Sequence, residues 1–91
     1  MLAVDFSKAS EKFSLRLPAK QKNQIGRRIS ALAGNPYASD TKEFRGFPLF
    51  RRADVGEYRI IYQVLGTILS IFLIGKRNDD EVYRRMKRLL A

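Results

Sequence analysis

The residues of this 91-residue chain best suited to chemistry are two arginines and a tyrosine: Arg59, Arg77 and Tyr83. The sequence contains no His and no Cys. Histidine acid–base catalysis, cysteine nucleophiles, disulfides and the usual zinc sites are therefore excluded. We expect neither a metal nor a cofactor, and any reaction has to use Arg, Lys, Tyr, Ser, Thr, Asp or Glu.

Cleavage of RNA is one reaction open to such a set of residues. The 2′-OH of a ribose can attack the adjacent phosphate, so the substrate brings its own nucleophile. The protein has to hold the backbone in line, stabilise charge on the pentavalent phosphate and help the proton leave the 2′-OH. Fixed arginines supply the charge stabilisation, which is usually the largest single contribution. DNA lacks the 2′-OH and would not be cut by the same groups.

Each of the three residues also has a purely structural interpretation. Arg59 lies in an otherwise apolar strand, where it either points into a groove or pairs with Glu57 or Asp54. Arg77 lies in a turn, where solvation alone would explain it. Tyr83 could stack on a base, an interaction worth ~1–3 kcal/mol, or simply pack on the sheet. Convergence of the three side chains on one groove would favour the catalytic interpretation.

The charge of the chain indicates a polyanionic partner. Eighteen Lys and Arg against nine Asp and Glu leave a net charge of +9, above the roughly 2–8 charges that solubility asks of a small domain. A small domain this basic most often meets nucleic acid or an acidic protein, and a solvated basic surface is the simpler alternative. The residues we expect to bind RNA phosphates are Arg45, Arg51, Lys76, Arg84, Lys87 and Arg88.

Hydrophobic periodicity predicts a single domain over residues 1–91, helical in its first half and mostly strand in its second. Ser7 caps a first helix that ends near Leu15. Pro18 begins a second helix that ends near Ala33, so that the two helices form a hairpin. The predicted strands are Leu2–Phe6, Arg51–Val55, Tyr58–Leu65 and Thr67–Ile74.

This order of elements predicts an α+β fold. An N-terminal strand and a helical hairpin pack on a twisted antiparallel sheet, and a short C-terminal helix follows, with Val82, Met86 and Leu90 on its apolar stripe. The most apolar stretch, residues 60–75, is too short and too polar to span a membrane. The first residues do not form a secretion signal, so we expect a cytoplasmic protein.

Four short runs of the sequence carry a resemblance to a known family. They are Phe-Arg-Gly-Phe-Pro at 44–48, Val-Gly-Glu-Tyr-Arg-Ile-Ile-Tyr-Gln-Val at 55–64, Gly-Lys-Arg at 75–77 and Glu-Val-Tyr at 81–83. Together they resemble the RelE/ParE superfamily of bacterial toxins, and the resemblance covers nearly the whole chain. The Gly-Glu-Tyr-Arg-Ile-Ile-Tyr run is specific for the superfamily. The spacing from Arg77 to Tyr83 is typical of its RelE-type branch.

RelE-type members are mRNA interferases, which enter the ribosomal A site and cleave the message through 2′-OH attack to leave a 2′,3′-cyclic phosphate. The resemblance implies that Arg59 and Arg77 act on the scissile phosphate and that Tyr83 stacks on a nucleobase. Such enzymes often carry two lysines on the preceding strand, where this chain has Arg52 and Asp54. Either Asp54 accepts the proton, or Arg52 only steers the phosphate and turnover is weaker. Asp54 could equally pair with Arg59.

The resemblance leaves two alternatives and implies a partner. ParE-type members share the fold and poison DNA gyrase without cutting RNA, and a non-catalytic basic binding module is a third possibility. Arg77 and Tyr83 favour the RNase. The family implies a cognate acidic antitoxin, through which the complex binds operator DNA, docking near Val82, Met86 and Leu90. We expect the free toxin to be a monomer.

Overall fold

Five strands and three helices make up the protein in its computed structural model, which describes residues 1–90 apart from the side chain of residue 79. A single 3₁₀ turn, Asn78–Asp80, leads into the last helix. The elements are β1 (Ala3–Phe6), α1 (Lys8–Leu15), α2 (Ala19–Gly34), β2 (Lys42–Glu43), β3 (Arg51–Val55), β4 (Tyr58–Leu65), β5 (Ile68–Lys76) and α3 (Glu81–Leu90). The predicted α+β fold is confirmed, and the structure adds the two-residue strand β2, which the sequence did not predict.

The sheet is mixed, with strand order β1-β5-β4-β3-β2. The pairs β2–β3, β3–β4 and β4–β5 are antiparallel, as expected for consecutive strands joined by short connections. Strand β1 runs parallel to β5, with Ala3 opposite Ile68 and Phe6 opposite Ile71. The direction of β1 depends on the path of the chain through α1 and α2, which short-range sequence patterns do not specify.

Helix α1 is fixed to β5 by two serines. Ser7 caps the helix, as predicted, because its Oγ accepts a hydrogen bond from the Ser10 backbone N–H at 3.1 Å. The Ser7 hydroxyl also donates to the Phe72 carbonyl oxygen at 2.6 Å. The buried Ser10 hydroxyl lies 3.1 Å from the Ile71 carbonyl oxygen. The N-terminus of α1 is therefore held on the strand by side-chain contacts as well as by packing.

The sheet has a hydrophobic core on each face. Side chains alternate along β4, so that Ile60 and Tyr62 enter the core beneath α2 while Ile61 enters the core beneath α3. Helix α2, predicted from Pro18 to near Ala33, buries Ile25, Ile29 and Leu32 at the spacing of one helix face. The core on the α3 face is formed by Phe44, Phe50, Ile61, Leu73, Val82 and Met86.

Strand β5 and helix α3 come into close contact at Gly75. A Cβ atom at this buried glycine would lie 2.8 Å from Val82 Cγ1, closer than side chains pack. Arg85 Nη1 donates a hydrogen bond to the Ile74 carbonyl oxygen at 3.1 Å, which holds α3 to the same strand. Gly75 is paired with Arg59 of β4. The absence of a side chain at Gly75 therefore allows α3 to lie over the part of the sheet that carries Arg59.

We expect Gly75→Ala to lower the free energy of unfolding by about 1–3 kcal/mol, because the added methyl group overpacks the contact with Val82. Urea denaturation monitored by circular dichroism measures the change. Val82→Ala removes the methyl group that would clash, so the same glycine substitution should cost clearly less in that background. Equal costs in the two backgrounds would contradict the assigned contact.

Candidate phosphate-binding site

Two arginines surround one carboxylate on the face of the sheet that carries α3. Asp54 of β3 lies opposite Arg59 of β4, and the alternation of side chains places Arg52 on the same face. Arg59 donates from Nε to Asp54 Oδ1 at 2.7 Å and from Nη2 to Oδ2 at 3.4 Å. Arg52 Nη1 lies 3.6 Å from Asp54 Oδ2. The ion pair of Arg59 with Asp54, one of the interpretations left open by the sequence, is therefore formed.

A cleft beside this pair is lined by both arginines predicted to act on phosphate. The Arg77 backbone N–H donates to the Glu57 carbonyl oxygen at 2.9 Å, and Arg77 Nη1 donates to the Gly56 carbonyl oxygen at 3.4 Å. These contacts hold Arg77 against the turn between β3 and β4, where Gly56 has a φ of 56° that glycine adopts without strain. The cleft is lined by Gly56, Glu57, Arg59, Lys76, Arg77 and Asn78. Its three cationic side chains and one acidic side chain suit a phosphate group.

Asp54 is stabilised as a carboxylate by the arginines around it. Burial raises the pKa of Asp54. The hydrogen bond from Arg59 and the positive charges of Arg59, Arg52 and Arg77 lower the pKa, and together they outweigh the effect of burial. The net result is a pKa below the ordinary value of 3.8. A carboxylate stabilised in this way is a weaker base than a free one. The proton-acceptor role for Asp54 stays a prediction, and the arrangement favours the ion pair.

The lowered pKa of Asp54 predicts a pH dependence of stability. The pKa is lower in the folded than in the unfolded chain, so the ionised carboxylate stabilises the fold above about pH 4 and this contribution is lost as the pH falls through the folded pKa. We therefore expect wild type to have a larger unfolding free energy than Asp54→Asn. The difference should be greatest near neutral pH and should shrink below about pH 4. Urea denaturation across the pH range measures it. A difference that is constant with pH would contradict the assignment.

Tyr83 lines a second pocket rather than the cleft. Its half-buried ring lies 4.4 Å from the ring of Phe44 and 6.2 Å from that of Phe47, measured between centroids. This second pocket, named the aromatic pocket, is lined by Arg45, Gly46, Phe47, Asp80, Tyr83, Arg84 and Lys87. The convergence of Arg59, Arg77 and Tyr83 on one groove, which would have favoured the catalytic interpretation over a merely charged surface, is thus not found. The arginines line the cleft and the tyrosine lines the aromatic pocket, and both borders include residues of the turn Asn78–Asp80.

One phenylalanine, Phe47, lines the aromatic pocket, and a second, Phe44, packs against Phe47 and Tyr83 from the core. Phe44 is buried and stacks on Phe47 at 5.3 Å with an interplanar angle of 19°. Phe47 is half-buried and lines the pocket beside Tyr83 and Arg45. Aromatic rings with cations at the rim suit a nucleobase and its neighbouring phosphate. The signal in the sequence was the pair of phenylalanines on either side of Arg45-Gly46.

The other residues predicted to bind RNA fall into separate places. Lys76 lines the cleft; Arg45, Arg84 and Lys87 line the aromatic pocket; and Arg88 is exposed on α3.

Arg51 lies on the opposite face of β3 from Arg52 and Asp54. Its Nη2 donates to Thr41 Oγ1 at 2.8 Å, and its guanidinium lies 5.0 Å from the centroid of the Tyr37 ring. The structure therefore separates Arg51 from the other residues predicted to bind phosphate. The sequence indicated this separation, because Arg51 shares the period-two spacing of the apolar residues Ala53 and Val55 and so lies on their face of the strand.

The residues predicted to contact an antitoxin are mostly covered in this conformation. Val82 and Met86 are fully buried in the core between α3 and the sheet, so they do not line a free groove as expected. Leu90 is 47% exposed and Leu89 54% exposed at the end of α3. Contact of an antitoxin with α3 stays a prediction, and of the three residues named for it only Leu90 is exposed in this conformation.

No helix in the part of the chain that the structure describes is long and apolar enough to cross a membrane. Within the same residues, no three acidic side chains come together as a group that could hold a metal ion.

Comparison with solved structures shows that the fold is that of RelE toxins. The isolated RelE toxin of E. coli in its P21 crystal form is 21% identical, with all of both chains covered and a TM-score of 0.75. An arginine-to-alanine double mutant of E. coli RelE in the free state is 21% identical, with 99% of this chain and 98% of that chain covered and a TM-score of 0.80. The archaeal RelE–RelB complex from Pyrococcus horikoshii OT3 matches at 22% identity, 86% and 97% coverage, and a TM-score of 0.74.

Sequence comparison identifies the family directly. No curated protein sequence matches the chain significantly. The family described as the ParE toxin of the type II toxin-antitoxin system, parDE, matches residues 4–81. This match includes the strand with Arg59, the turn with Arg77 and the first residue of α3. The chain therefore belongs to the ParE toxin family of type II toxin–antitoxin systems, within the RelE/ParE superfamily.

Proposed function

We propose that this toxin is a metal-independent endoribonuclease of the RelE type, which cleaves mRNA in the ribosomal A site. The observation that carries the proposal is the cleft in which Arg59 and Arg77 lie together with Lys76. Arginine side chains bind phosphate through a planar fork of donors. Two of them fixed at one cleft can stabilise the charge that develops on a pentavalent phosphate.

In the proposed reaction the ribose 2′-OH attacks the adjacent phosphorus and the bond from phosphorus to the 5′-oxygen breaks. The products are a 2′,3′-cyclic phosphate and a free 5′-hydroxyl. Arg59 stabilises the non-bridging oxygens, and Arg77 assists the departing 5′-oxygen. The assistance from Arg77 is electrostatic, because a guanidinium group does not readily give up its proton. The proton of the 2′-OH passes to Asp54 once Arg59 has turned to the phosphate, or to solvent, and the departing 5′-oxygen takes up a proton from solvent.

The aromatic pocket would hold a nucleobase next to the phosphate being cleaved. Tyr83 already packs against Phe44 with its ring tilted by 35°, so a base would contact the exposed side of Tyr83 and the half-buried Phe47. Stacking of a base on an aromatic side chain is worth ~1–3 kcal/mol. Arg45 and Lys87 at the rim of the pocket would bind the adjoining backbone. The ribosome would supply the geometry of the message, because the site itself lacks a strong base.

The proposed partner is an acidic antitoxin, through which the complex would bind operator DNA. The net charge of +9 suits a negatively charged segment that folds as it binds. Structures of RelE toxins bound to RelB antitoxins are known for relatives of the same fold, which supports this part of the proposal.

Inhibition of DNA gyrase without RNA cleavage is the second candidate function. It is supported by the ParE name of the matching family and by the pairing of Arg59 with Asp54, which occupies the arginine. The position of Tyr83 outside the cleft also agrees with it. This candidate assigns Arg59 and Asp54 a structural role in holding β3 against β4.

Mapping of cleavage sites separates the two candidates. Primer extension on a message in translating ribosomes should show cuts in the A site that are lost with Arg77→Ala and weakened with Tyr83→Ala, which removes the stacking ring. Arg27→Ala, on the exposed side of α2, is the matched control and should cut as wild type does. An intact message together with accumulation of gyrase cleavage complexes on DNA would instead establish the gyrase function.

A further inference from the structure

The guanidinium of Arg59 already holds an anion, namely the carboxylate of Asp54. Both oxygens of Asp54 are contacted by the fork of Arg59, at 2.7 Å and 3.4 Å. Arg52 approaches the second oxygen to 3.6 Å. This is the geometry in which arginine binds carboxylates and phosphates alike.

We infer that Asp54 is an internal competitor for the phosphate site: its carboxylate occupies, in the free protein, the position that a ligand phosphate takes on Arg59 and Arg52. A bound phosphate would displace Asp54 from the fork of Arg59. The nature of the ligand, an RNA phosphate, rests on the proposed function. The occupation of the anion site by Asp54 rests on the geometry alone.

The charges around Asp54 attract an incoming anion that can displace it. Arg52, Arg59 and Arg77 all act on Asp54 through their positive charges. Lys76 adds a fourth cation at the cleft, and Glu57 is the acidic residue in its lining. Four cations therefore face two carboxylates, so the site keeps a positive balance even with Asp54 in place.

The alternative is that the ion pair only holds β3 against β4. These two strands are already paired at five positions, from Arg51 with Tyr62 to Val55 with Tyr58. Most partly exposed ion pairs add little to stability, and the Asp54 side chain is 33% exposed. The Arg59 side chain, at 15% exposure, reaches the cleft where a ligand can meet it. An exchange of anions on Arg59 accounts both for the partly exposed ion pair with Asp54 and for the access of Arg59 to the cleft.

Titration with inorganic phosphate tests this inference without RNA or ribosomes. The arginine Nε–Hε signals of the folded protein are followed by NMR in wild type, in Asp54→Asn and in Asp40→Asn. Asp40 is the matched control, because it also pairs with an arginine, Arg28, at 3.0 Å, and its substitution removes the same charge. Phosphate should bind Asp54→Asn on the order of tenfold more tightly than wild type, the effect of about 1.4 kcal/mol. Binding to Asp40→Asn should stay close to that of wild type.

A second measurement in the wild-type protein does not depend on any variant folding. Phosphate should shift the Nε–Hε signal of Arg59 and leave that of Arg28 in place. Equal gains in the two variants, equal shifts at the two arginines, or no binding of phosphate at all would each overturn the inference.

An oligonucleotide arm tests the identity of the ligand separately. A 2′-O-methyl RNA cannot be cleaved through its 2′-OH, so its binding is measured without turnover. Asp54→Asn should bind it more tightly than Asp40→Asn does. A gain for inorganic phosphate with none for this RNA would overturn the assignment to RNA. Failure of the RNase proposal would show instead as normal phosphate and RNA binding with an uncut message.

Discussion

Arg59→Ala is expected to lower the rate of mRNA cleavage on translating ribosomes by about 10²–10³-fold, the usual effect of removing one fixed donor from a charge-stabilising site. Arg59 is the arginine that lies both in the cleft and against Asp54. Its loss removes the proposed contact to the phosphate, and β4 carries no other basic side chain that could replace it. Single-turnover cleavage measured by primer extension gives the rate.

Two further variants separate a loss of chemistry from a loss of structure. Arg59→Lys keeps the charge without the planar fork, so it should recover only part of the rate. Arg59→Ala combined with Asp54→Asn avoids an unpaired carboxylate, and it should unfold at nearly the wild-type denaturant concentration while staying inactive. Cleavage by Arg59→Ala at a near wild-type rate would remove this arginine from the reaction.

Phe44→Ala is expected to lower the free energy of unfolding by about 3–5 kcal/mol, the usual cost of removing a buried aromatic side chain. Phe44 is 1% exposed and packs between Phe47, Tyr83 and the core on the α3 face of the sheet. Its removal leaves a cavity beneath the aromatic pocket. Equilibrium unfolding in urea measures the loss.

The control for Phe44 is an apolar residue of the same loop that is not buried. Leu49 is 78% exposed, so Leu49→Ala should change stability by less than about 0.5 kcal/mol. Phe44→Leu keeps much of the volume and should lose clearly less stability than Phe44→Ala, which keeps the comparison measurable if the alanine variant does not fold. Similar losses for Phe44→Ala and Leu49→Ala would show that Phe44 does not support the pocket.

Much of the fold was predictable because it depends on local patterns. Periodicity over a few residues sets the apolar face of α2 and the alternation of Ile60, Ile61 and Tyr62. The cap at Ser7 follows from the type of a single residue. The pairing of Arg59 with Asp54 was also foreseen as one of several possibilities, because the hairpin places strands β3 and β4 side by side.

The parts that the sequence did not predict depend on distant contacts. The parallel direction of β1, the burial of Val82 and Met86, and the position of Tyr83 against Phe44 all follow from how elements far apart in the chain pack together. An apolar stripe on a terminal helix indicates that something covers it. Here the sheet does, and sequence alone could not distinguish the sheet from a partner protein.

The parallel pairing of β1 with β5 also governs when a newly made chain can finish folding. The contact that fixes the end of β1, from Ser7 to Phe72, spans 65 residues of sequence. A nascent chain has no partner for β1 until β5 has been translated, and contacts of such long range form late and slowly. Arg59 and Arg77 come together over the same β4–β5 hairpin. The proposed site therefore depends on a hairpin whose contacts are local in sequence, and it forms before β1 completes the sheet.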